Sequence, residues 1–301
     1  MISKNYFKQI RILDGGMGQE LLARGMKPNS TLWSANAILD ENYHQLVLDT
    51  HIDFLKAGAE IIVTTTFATR QKRLKENNLL YKFEYLNQKA GEIAQAAKQK
   101  FPNTYIAGGL PPQNLTYEAD DRDESEIIEN FNSQAKALNP YIDFFYFDVW
   151  SSIKEVKCGI EAVKEFKKPY LVGLHISEGT KLPSGERIKE IKNIIDGNSL
   201  GVMLSCVSPE NFEKNLYELK SLNVPFGFKL NGFVTTKLNE SYTSVFLGKK
   251  TNPNEILGKR KDLTPAKIKK IAQKFKENGA TIIGGCCETS PLHIEAISKI
   301  K

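Results

Sequence analysis

Cysteine is scarce in this chain, with four in 301 residues. So few thiols cannot build a disulfide framework, and they point to a reducing, cytoplasmic setting. Long apolar runs are missing too. No stretch approaches the roughly 18 unbroken apolar residues of a membrane span, and the opening MISKNYFKQI has neither an apolar h-region nor a small-residue cleavage site. Basic residues outnumber acidic ones 41 to 35, a formal balance of +6, but the excess is spread along the chain. That pattern lacks the one-faced basic footprint of nucleic-acid binding. Neither a membrane nor a nucleic acid is an expected partner, and the oligomeric state stays open.

Short β-rich apolar runs alternate with helical spacing from end to end. The expected strands are Ile10–Asp14, Glu60–Thr66, Tyr105–Gly109, Phe144–Val149, Pro169–His175, Gly201–Cys206, Phe226–Asn231 and Thr281–Cys286. Helical stretches follow, beginning near Asn42, Asn78, Glu124, Ile153, Gly185, Pro209, Thr264 and Pro291. In SPENF and TPAKI, Ser208 and Thr264 read as N-caps with proline at the first helical position. Eight strands alternating with eight helices is the count of a (β/α)8 TIM barrel, and no composition break marks a second domain, so residues 1–301 read as one α/β barrel domain. Two segments, Gly15–Glu41 and Gly232–Asp262, exceed the usual loop length, and both leave carboxyl ends of strands, where such a barrel builds its active site.

Three of the four cysteines fall at those ends: Cys206 on the sixth strand, Cys286 and Cys287 on the eighth. Adjacent cysteines suit a disulfide poorly, because the S–S bond needs a defined separation and dihedral. Three thiolates converging on one mouth suit Zn2+, and three protein ligands leave one position open, the catalytic rather than the structural pattern. Gly284 and Gly285 are expected to let the backbone bend so that both neighbouring thiols turn inward. The bland alternative is small-residue core packing, which is the reading for Cys158 within the helix IKEVKCGIEAV. His175, also at a strand end, reads as a hydrogen-bonded wall residue or as a fourth ligand.

ILDGGMGQEL, AGAEIIVTTTFAT, the strand-six cysteine followed by VSPE, and the final GGCC together resemble the homocysteine S-methyltransferase family, in the same order from about residue 9 onward. The resemblance implies a zinc-dependent methyltransferase that moves a methyl group from a small onium donor to homocysteine, giving methionine. It implies zinc ligation by Cys206, Cys286 and Cys287, and acceptor binding by Asp14, Gly15, Thr66 and Asp148. Asp148 stands where the family usually has a glutamate, Thr64-Thr65-Thr66 where TNT is common, and LSC where GVNC is usual. TLWSANAIL is most similar to members using S-methylmethionine, whereas IAGGLPP is closer to betaine-using members; dimethylsulfoniopropionate is a further donor of the same kind.

The chemistry agrees with the residue types. A thiol is mostly protonated at neutral pH, and coordination to zinc deprotonates it. A sulfonium or quaternary ammonium donor departs as a neutral molecule, so no strong general acid is required. Aromatic side chains are the expected holders of an onium group: Trp33, Phe67 and Tyr117 first, with Trp150 and Phe233 as further possibilities, each of which could equally be core. Two rival readings remain. A phosphate-binding barrel would explain IIGG but not the thiols, and a zinc-binding thiol sensor would explain the thiols but not Asp14, Asp148 or the long segments.

Overall fold

The computed structural model describes residues 2–237 and 257–301. Eight strands run in chain order: β1 (Arg11–Ile12), β2 (Ile61–Val63), β3 (Tyr105–Leu110), β4 (Phe144–Trp150), β5 (Tyr170–Leu174), β6 (Ser199–Val207), β7 (Phe226–Leu230) and β8 (Ile282–Gly285). All pairings are parallel, from β2 through β8 and back to β1. A parallel bridge between Leu13 and Ile61 joins β1 to β2. The sheet therefore closes into the (β/α)8 barrel that the strand count predicts.

Ten α-helices lie among the described residues: α1 (Met17–Ala23), α2 (Ala35–Leu39), α3 (His44–Lys56), α4 (Gln71–Glu76), α5 (Phe83–Lys100), α6 (Glu124–Leu138), α7 (Ile153–Val163), α8 (Pro209–Ser221), α9 (Pro265–Glu277) and α10 (Pro291–Ser298). Both expected caps form. Ser208 accepts from Asn211 N at 3.2 Å, and Thr264 accepts from Lys267 N at 3.3 Å.

Two expectations need correction. The helix foreseen near Gly185 is absent, and a 3₁₀ stretch, Ile188–Asn193, takes its place with Ile188 and Ile191 buried. Apolar residues three apart serve a 3₁₀ turn as well as an α-helix, so the pattern is ambiguous there. The segment Gly15–Glu41 is not a bare loop, since it folds α1 and α2 over the barrel mouth. Of the other long segment, residues 238–256 lie outside the described residues.

Strand alternation decides what reaches the centre. In β4, Phe144 and Tyr146 belong to the cluster filling the barrel, while Phe145 and Phe147 belong to the outer layer beneath the helices. In β7, Phe228 points outward against Phe212 of α8 and Phe275 of α9. Its neighbour Lys229 consequently points inward.

Candidate active site

Perfect alternation along β6 would send Cys206 outward, because Val202 and Leu204 pack in the outer layer and Met203 in the barrel. A register shift between Ser205 and Val207 inserts an extra residue, and Cys206 takes φ +52°. The bulge turns the thiol into the mouth. β4 does the same between Phe147 and Trp150, with Val149 at φ +70°, leaving Asp148 open to the cavity. Eight non-glycine residues among those described have positive φ, and four of them, Trp33, Tyr117, Val149 and Cys206, line this one cavity. Such conformations cost on the order of 1–3 kcal/mol each and cluster at functional sites.

The three sulfurs of Cys206, Cys286 and Cys287 lie within 4.8 Å of one another. Cys287 Sγ is 3.9 Å from Cys206 Sγ and 4.0 Å from Cys286 Sγ. Thiolates on a tetrahedral zinc would stand about 3.8 Å apart, so this trio could hold a metal without rearrangement. Burial raises the Cys206 thiol, but hydrogen bonds from Cys286, Cys287 and Tyr117 outweigh it and bring this thiol well below its ordinary value. Donating to that sulfur pushes Cys286 up to about 12 and raises Cys287 as well. A divalent cation is the partner that would ionise all three thiols. Tyr117 Oη lies 3.0 Å from Cys206 Sγ, and its ring rests on the His175 ring, centroids 4.3 Å apart. Asn231 Nδ2 donates to the Cys206 carbonyl.

His175 is a wall residue. Its Nδ1 meets Ser205 O at 3.2 Å and its Nε2 meets Ser177 Oγ at 2.8 Å, so both ring nitrogens are engaged away from the sulfurs. Cys158 is buried on α7, apart from the trio. Gly284 and Gly285 end β8, neither with positive φ. They leave room instead: a Cβ on Gly284 would stand 2.8 Å from Leu13 Cβ and 3.3 Å from Lys229 Cγ.

Asp14, Gly15, Trp33, Phe67, Tyr117 and Asp148 all line the cavity with the three cysteines. Thr66 does not. Its Oγ1 donates to Gly109 O at 2.7 Å within the wall, and Thr64 and Thr65 face the cavity in its place. Trp150 is also removed from the mouth: it is fully buried between Phe131 and Phe147, with Nε1 donating to Leu110 O. Phe233 is buried beside Val149 and Cys206 and backs the trio.

Three cationic side chains that the sequence does not single out enter here. Lys229 donates to Asp14 Oδ1 at 2.8 Å, both side chains buried. Asp14 Oδ2 accepts from Val63 N at 2.7 Å, so this carboxylate also stitches β1 to β2. Asp148, within the field of the same lysine, is pushed up to about 7, chiefly by burial. Arg70 and Arg73 are buried and line the cavity; the Arg70 guanidinium lies 5.5 Å from the Phe67 ring centroid and donates to Thr116 Oγ1.

Comparison with known proteins agrees with this arrangement. The profile described as homocysteine S-methyltransferase matches residues 11–300. Homocysteine S-methyltransferase 1 of Saccharomyces cerevisiae is 28% identical over 321 residues, covering 96% of this chain and 93% of the yeast protein. Homocysteine S-methyltransferase 2 of the same yeast is 25% identical over 324 residues, covering 97% and 94%. Among solved structures, the metallated form of the Escherichia coli homocysteine methyltransferase MmuM superposes with a TM-score of 0.80 at 18% identity over 97% of this chain and 96% of that one, a likeness of fold. With a barrel mouth that gathers three thiols and two carboxylates, and a profile match along nearly its whole length, the chain belongs to the homocysteine S-methyltransferase family and is a methyltransferase.

Proposed function

We propose that this protein is a zinc-dependent homocysteine S-methyltransferase using a small onium donor, with S-methylmethionine ahead of betaine and dimethylsulfoniopropionate. The observation that carries the reading is the convergence of three sulfurs within 4.8 Å beside two acidic side chains and an aromatic wall. Cys206, Cys286 and Cys287 would hold the ion. Zinc, when bound, supplies deprotonation of a coordinated substrate thiol at neutral pH. Three thiolates exceed the charge of a divalent ion by one, which favours a cationic donor over a neutral one.

The remaining work falls to the chain's own residues. Asp148 offers a carboxylate to the acceptor's ammonium group, and Asp14 is engaged by Lys229. Trp33 and Tyr117 give the donor a surface that replaces its water; Phe67 already carries the Arg70 guanidinium on its ring and contributes less. The donor ranking follows the LWSA stretch around Trp33.

The test has two arms. Purified protein should contain one zinc per chain, and Cys286→Ser should lose both the metal and turnover, because serine is a poor zinc ligand. Homocysteine is then offered in parallel with S-methylmethionine, betaine, dimethylsulfoniopropionate and S-adenosylmethionine, and methionine is measured. Full activity in a metal-free Cys286→Ser protein would falsify the zinc reading, and a clear preference for betaine would reverse the ranking alone.

A further inference from the structure

Lys229 has no counterpart in the expectations drawn from the sequence, yet it lies at the floor of the mouth. Its side chain is 6% exposed. The stem crosses Gly284, whose missing Cβ would otherwise stand 3.3 Å from Lys229 Cγ, and the ammonium passes over the Tyr146 ring at 5.9 Å. An ammonium carries three N–H donors. Among the described residues, Asp14 is the one oxygen that accepts from it. Lys229 lines the cavity together with Asp14, Asp148 and Cys286, which leaves an acceptor within the cavity as a partner for its other donors. A buried ammonium with donors to spare calls for an acceptor of negative charge.

We propose that Lys229 anchors the α-carboxylate of the acceptor amino acid. The inference rests on the homocysteine reading and deepens it. The floor then holds alternating charges: Asp148 carboxylate, substrate ammonium, substrate carboxylate, Lys229 ammonium, Asp14 carboxylate. A zwitterion whose cationic end meets Asp148 and whose anionic end meets Lys229 extends that series without placing like charges side by side. Asp14, engaged by Lys229 and by Val63 N, acts behind the lysine and not as a second ammonium partner. The shorter Asp148 is thereby sufficient, because the substrate is gripped at both ends.

Ligand truncation separates this role from a structural one. Zinc-loaded parent, Lys229→Met and Lys229→Arg proteins are titrated calorimetrically with homocysteine and with 3-aminopropane-1-thiol, which is homocysteine without its carboxylate. The parent should prefer homocysteine by about ten- to hundredfold, the scale of a hydrogen bond to a charged group. In Lys229→Met that preference should collapse because homocysteine weakens while the truncated thiol does not, and Lys229→Arg should restore part of it, with zinc content unchanged throughout. Should Lys229→Met fail to fold because Asp14 is stranded, the pair Asp14→Asn/Lys229→Met keeps the floor uncharged and the same ratio is read. Equal weakening of both ligands would assign Lys229 to holding Asp14 only, and a preference that survives in Lys229→Met would place the carboxylate elsewhere; either result overturns the proposal. A parent protein that binds neither thiol overturns the acceptor reading itself.

Discussion

At the scale of single residues, the thiols are legible in the sequence because cysteine is rare and three of four sit at strand ends. Lys229 is not legible, because lysine is common and nothing local says that β7 points it inward. Trp33 shows what a close contact adds. Its indole lies against α1 at Gly18, where an added Cβ would stand 1.7 Å from Nε1. Alanine in a helix is ordinarily better than glycine by about 1 kcal/mol. If the indole seats the donor, Trp33→Ala should weaken donor binding by about 1–2 kcal/mol and leave homocysteine binding nearly unchanged. Gly18→Ala should raise the donor KM in the same direction by displacing the ring. Steady-state kinetics with each substrate varied in turn checks both; an unaltered donor KM in the two variants would remove Trp33 from the donor site.

Elements were legible to the extent that periodicity reports them. All eight strands lie where apolar runs predict them, while the two bulges that aim Cys206 and open Asp148 to the cavity leave no mark in LSCV or FDVW. A bulge is a choice between registers, and it is settled by contacts with neighbouring strands. The start of α7 illustrates a different coupling. Glu155 is fully buried, its Oε2 accepting from Ser151 N at 3.1 Å and Ser152 Oγ at 2.8 Å, while its own N–H donates to Ser152 Oγ at 3.0 Å. Burial is the main cause that pushes its carboxyl up from 4.5 to about 8. A raised carboxyl binds its proton more tightly in the folded chain, so its contribution is fully present below 4.5 and is lost as pH rises through about 8. Glu155→Gln keeps the accepting oxygen and does not titrate. Relative to the parent, this variant should therefore gain stability between about pH 5 and pH 8, on the order of 3 kcal/mol, measured by urea unfolding at each pH. A constant difference between the two proteins across that range would show that Glu155 is already ionised in the fold.

Across the whole molecule the barrel is unevenly sewn. β6 has nine residues, whereas β1 has two and β2 three. Their seam relies on Glu60 N to Ile12 O, Asp14 N to Ile61 O and the Asp14 side chain on Val63 N. Amides of Glu60, Asp14 and Val63 should therefore exchange with deuterium sooner than those at the centre of β5 and β6, as local opening begins where few backbone bonds hold. Equal protection around the ring would mean that the barrel opens only as a unit. The three-sulfur site carries a constraint of timing. Cys206 and Cys287 are 81 positions apart, and their sulfurs meet only after β7 and β8 have joined the sheet. During synthesis the aromatic wall emerges first, then a solitary Cys206, and the vicinal pair much later. No chain shorter than 287 residues holds all three sulfurs, so any metal held by the trio could be taken up only after the last strand has been made.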